Sequence, residues 1–135
     1  MKLSNHFKLE EFTRSDTAIS RKITNEPGEK EIANLIQLCI RLLQPLREHM
    51  GEPLLINSGY RCPELNRAVG GVATSQHVTG EAADVRCSHP GKLLAVLLEL
   101  KLDFDQAILY PGFLHLSYRP GHNRKQVLYA KGTQP

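Results

Sequence analysis

The stretch Ser75-Gln76-His77-Val78-Thr79-Gly80-Glu81-Ala82-Ala83-Asp84 decides the fold. A histidine and an aspartate stand seven positions apart, with a glycine and two alanines between them. Small residues let the backbone pass close to a neighbour, and here they flank an imidazole nitrogen and a carboxylate oxygen, two donors that zinc accepts. Downstream, Phe113-Leu114-His115-Leu116-Ser117 adds a second histidine on a strand-like alternation. His77, Asp84 and His115 together make a three-donor N/O set with one position left open. Catalytic zinc centres have that pattern, whereas structural ones are closed.

Working outward, Ala82 to Arg86 reads as a strand on which Asp84 shares its face with Ala82 and Arg86, while Glu81 and Ala83 point the other way. Phe104 to Tyr110 and Phe113 to Tyr118 read as two strands around the Pro111-Gly112 turn, a hairpin that returns His115 beside the Asp84 strand. Upstream, Leu54 to Ser58 is a short strand, and Pro63 to Val69 a short helix ended by Gly70-Gly71. The longest helix opens at Asn25-Glu26-Pro27-Gly28 and carries Ile32, Leu35, Ile36, Cys39, Leu42, Leu43 and Leu46 as an apolar stripe. Pro45 lies inside it and should kink it or free a carbonyl near Arg41, and Gly51 ends it. A second helix follows Ser88-His89-Pro90-Gly91, and Gln126 to Ala130 forms a last edge strand. Residues 1–25 read as an arm, with a helical turn near Leu9 to Thr13. The expectation is one α+β domain over residues 1–135: a small, mostly antiparallel sheet, helices packed on one face and a zinc site on the other.

Composition narrows the function. The 135 residues suit one core, and 41% hydrophobic with 23% charged residues is ordinary for a globular domain. A net charge of +3 on scattered lysines and arginines gives no basic stripe, so nucleic acid is not expected as a partner. Three cysteines argue against a disulfide framework, and neither Cys62 nor Cys87 has a partner at metal-ligand spacing. No segment has the ~18 apolar residues of a membrane span, and the first residues lack the apolar core of a signal peptide. A monomer made in the cytoplasm is expected.

Ser75-x-His77-x-x-Gly80-x-Ala82-x-Asp84 resembles the signature of the M15 zinc peptidases, which include D-alanyl-D-alanine carboxypeptidases, dipeptidases and phage endolysins. Ser58-Gly59-Tyr60-Arg61, Pro63-Glu64-Leu65-Asn66 and Phe113 to Ser117 resemble their flanking segments. Phe12-Thr13-Arg14-Ser15 and Asn123-Arg124-Lys125-Gln126 resemble the ends of the small single-domain branch. The resemblance implies Zn2+ on His77, Asp84 and His115, and a peptidoglycan peptide as substrate. It implies Arg61 as a catalytic and substrate-binding cation that pairs with a substrate carboxylate or an oxyanion. Ser75 and Gln76 are implied as substrate contacts.

The general base is where the chain departs from the pattern. Many members carry an acid three residues before the last histidine, where this chain has Gly112, and the related hedgehog zinc domain puts its acid at the place of Tyr110. Asp105, Tyr110 and His122 are therefore the candidates for acid–base work. The missing acid also motivates a rival function, a zinc-bearing binding module without turnover.

Overall fold

The computed structural model describes residues 1–133. A short ribbon, β1 (Lys2–Ser4) with β2 (Phe7–Lys8), opens the chain. Helices α1 (Leu9–Thr13) and α2 (Asp16–Arg21) follow. The expected turn at Leu9 is thus present, but the arm holds more order than its sequence period suggests. Phe7 and Phe12, fully buried with ring centroids 6.1 Å apart, fasten it to the body.

The long helix runs as α3 (Glu29–Leu38), a π-helical turn over Cys39–Leu43, and α4 (Gln44–Met50). Glu31 starts it by accepting the Gly28 N–H at 3.0 Å. Pro45 cannot donate to the carbonyl four residues back, and the chain meets that loss with a widened turn just before it. Gly51 in the left-handed region (φ 69°) ends α4.

Next come β3 (Leu55–Ser58), α5 (Pro63–Ala68), β4 (Ala82–Arg86), α6 (Pro90–Glu99), β5 (Gln106–Leu109), β6 (Leu114–Ser117) and β7 (Gln126–Tyr129). The five-stranded sheet has the order β3-β4-β6-β5-β7. Every pairing in it is antiparallel except β5 with β7, which run parallel.

One face of this sheet is the core. Ala83 and Val85 of β4, Ala107 of β5 and Leu114 and Leu116 of β6 are buried with Leu35, Leu38, Leu42, Leu43, Leu46, Leu93 and Leu97 from the helices. Each fully buried leucine contributes about 1.5–3 kcal/mol of apolar burial. Strand alternation then fixes the opposite face. Asp84 lies between Ala83 and Val85, and His115 between Leu114 and Leu116, so both turn away from the helices. Their strands are adjacent, and Asp84 pairs directly with His115 in the β4–β6 register.

Candidate metal centre

The register brings two donors together, and the loop before β4 supplies the third. His77 is 3% exposed, and its Nδ1 lies 2.7 Å from the Gly59 carbonyl. A carbonyl only accepts, so Nδ1 carries the proton and Nε2 is left with its lone pair facing the site. Nε2 stands 3.4 Å from Asp84 Oδ1, and His115 Nδ1 stands 2.8 Å from the same oxygen. The two imidazoles meet edge to face at 5.2 Å between centroids. One donor atom from each residue lies within 4.8 Å of the others, close enough to grip one ion.

Burial raises the pKa of Asp84, but the His115 hydrogen bond and the neighbouring His77 imidazole outweigh it and hold the carboxyl below the usual range. The aspartate is thus ionised, as a metal ligand must be. Two neutral-capable imidazoles, one with its tautomer set by a backbone carbonyl, and one ionised carboxylate fit a zinc ion by donor chemistry.

Gly80 explains the loop. Its φ is +78°, and a Cβ there would sit 2.5 Å from the Glu31 carbonyl oxygen. The turn from His77 into β4 therefore passes against α3 at a spacing only glycine fills. Asn34 Nδ2 donates to the Thr79 carbonyl at 2.9 Å and ties the loop to the same helix.

Arg61 follows β3 and lies beside the triad, with Nη2 3.9 Å from Asp84 Oδ2. Its Nε donates to Ser58 Oγ at 3.1 Å and its Nη1 to Asn66 Oδ1 at 2.9 Å. Asn66 is thus its neighbour on α5. Burial lowers its pKa and Asp84 opposes that, so the guanidinium is partly stripped of water and well oriented. Ser75 Oγ accepts the His77 N–H at 3.1 Å and caps the loop.

Gln76 and Asp105 meet each other. Gln76 Nε2 donates to Asp105 Oδ2 at 2.9 Å. The Asp105 side chain is fully buried and takes a two-toothed grip from Arg124, Nε to Oδ1 and Nη2 to Oδ2, each at 2.9 Å. The Arg124 hydrogen bonds lower the Asp105 pKa to about 2. Tyr110 stacks on Phe113 at 4.5 Å with 10° between ring planes, and its N–H donates to the Phe113 carbonyl at 2.9 Å. His122 lies in the loop after β6 and lines a cavity with Arg119 and Arg124, apart from the walls around His115.

Glu81 is the residue that strand alternation misplaces. β4 begins only at Ala82, so the alternation does not extend to position 81. Glu81 instead lines the cleft that His115 also lines, with Ser75, Gln76 and Thr79. Thr79 Oγ1 donates to its Oε1 at 2.6 Å, and Arg119 Nε lies 3.6 Å from its Oε2. The signal was Gly80, which breaks the extended backbone just before it.

Among the described residues no helix is long and apolar enough to cross a membrane. A family model described as Peptidase M15 matches residues 5–117. A zinc D-Ala-D-Ala carboxypeptidase of Streptomyces albus G is 35% identical over 82 residues, which cover 60% of this chain and 29% of that protein. The chain thus matches less than a third of this relative's length. The family match takes in the β4–β6 register, the glycine-bent loop and all three converging donors, and on it the chain belongs to the Peptidase M15 family.

Proposed function

We propose that the chain is a zinc-dependent hydrolase of peptidoglycan stem peptides. It cuts a bond next to a D-amino acid, as a D,D-carboxypeptidase or as an endolysin-type endopeptidase, and it works as a single monomeric domain with residues 1–25 as an arm. The observation that carries this reading is the convergence of His77, Asp84 and His115 with Arg61 beside them.

When bound, zinc lowers the pKa of water and polarises a scissile carbonyl. The chain's own residues do the rest. His77 and His115 present ring nitrogens and Asp84 an ionised oxygen to one another, the donor set that would hold the ion. Arg61, fixed by Ser58 and Asn66, offers a remaining guanidinium edge to a terminal carboxylate or a developing oxyanion. Asp105 is a poor proton acceptor, because Arg124 keeps it so acidic. The proton-accepting role falls to Glu81, the carboxylate that shares the cleft with His115.

The test is to incubate zinc-loaded protein with muropeptides, with and without a chelator, alongside His115→Ala. Cleavage that needs metal and vanishes in the variant is expected. Stoichiometric muropeptide binding with no cleavage in any sample would instead establish the binding-module reading. Gly112 in place of an acid and a Tyr110 ring committed to Phe113 favour that rival.

A further inference from the structure

The cleft that His115 lines has a volume of about 490 Å³. Arg119 and Arg124 line it too, and both also line a second cavity of about 450 Å³ with His122. No acid lines that second cavity among the described residues. Both guanidiniums are roughly half exposed, Arg119 at 53% and Arg124 at 57%.

The two cations are held differently. Arg124 is fixed by the buried Asp105, which uses only its Nε and one Nη2 hydrogen. The Nη1 pair remains to meet a ligand. Arg119 touches Glu81 at 3.6 Å, beyond hydrogen-bond reach, so it can turn toward an anion at little cost. Asp105 also binds Gln76, the residue just before His77, so this basic corner and the metal loop share one anchor.

Arg61 lines a different cavity, with Ser58, Gly59 and Tyr60. Arg61 touches the triad at Asp84, while Arg119 and Arg124 share a cleft with His115, so a peptide anchored at Arg61 that also reaches those cations passes the three donors. We infer that Arg119, His122 and Arg124 form an anion subsite that holds a carboxylate of the peptide N-terminal to the scissile bond. This rests on the peptidase reading above. It names a second recognition point and gives the substrate a direction across the site.

Calorimetry on zinc-loaded protein tests it with peptides in which every amide next to a D-residue is replaced by an uncleavable ketomethylene link. They end in a single D-alanine and carry either glutamate or glutamine upstream, and glycerol phosphate serves as a third probe. The glutamyl peptide should bind about tenfold tighter than the glutaminyl one, the scale of one charge-assisted contact. The double variant R119Q/H122N should bring that ratio to about one while zinc content stays stoichiometric, and Lys92→Gln, on a distant helix, should leave it in place. Equal affinity for the two peptides in the wild-type protein, or a preference that survives the double variant, overturns the subsite. So does glycerol phosphate binding without any glutamyl preference, which would assign the corner to a phosphate polymer. These peptides are not cleaved, so failure of the muropeptide assay would sink the hydrolase reading without touching this result.

Discussion

Replacing Asp105 with asparagine removes one charge and keeps the shape. The wild-type side chain is fully buried and accepts from Gln76 Nε2, from Arg124 Nε and Nη2, and from the Arg124 backbone N–H at 3.1 Å. Those bonds, Arg124's first, lower its pKa from 3.8 to about 2. Integrated over that interval, the depression is worth about 2.4 kcal/mol. The partner guanidinium is open to solvent, and screening trims the figure to about 1–2 kcal/mol. A depressed carboxylate pKa stabilises fully above the unfolded value near 3.8, and the gain is lost as pH falls through about 2. Urea unfolding of Asp105→Asn against wild type should therefore show a deficit of about 1–2 kcal/mol near pH 7. The deficit should shrink by about half near pH 3. Equal midpoints near pH 7, or a deficit that ignores pH, would refute the assignment of Asp105 as an ionised anchor.

Gly80→Ala forces a Cβ to 2.5 Å from the Glu31 carbonyl at a φ of +78°, so a loss of about 1–3 kcal/mol is expected in thermal or urea unfolding, with zinc affinity falling alongside. Glu81→Gln should retain stoichiometric zinc yet lose about 10²–10⁴ in kcat on muropeptides; unchanged kcat would move the proton-accepting role elsewhere. Arg61→Lys keeps the charge but not the planar fork that spans Ser58 and Asn66. Its kcat/KM should drop about tenfold or more, and parity with wild type in steady-state kinetics would remove Arg61 from substrate recognition.

Much of the molecule was legible because its signals are local. Alternation around Asp84 and His115 gave both strands and the face they share, and the turn at Pro111-Gly112 gave the hairpin that joins them. The stripe from Ile32 to Leu46 gave the long helix, and Pro45 marked where it departs from regular geometry. What stayed hidden depends on distant partners. Nothing near Asp105 announces that Arg124 will occupy it, and nothing near Tyr110 announces its stacking on Phe113. The parallel pairing of β7 with β5 escapes a hydropathy pattern too, since alternation is the same for either direction. Glu81 was misplaced because a period of two was carried one residue beyond the strand.

The Asp84–His115 pairing across β4 and β6 has one more implication. If β6 slid by a single position, His115 would enter the apolar layer and Leu114 or Leu116 would take its place in the site. Only the native alignment can then clasp an ion. One alignment therefore serves both the apolar layer and the donor set, and a slip would forfeit the two together.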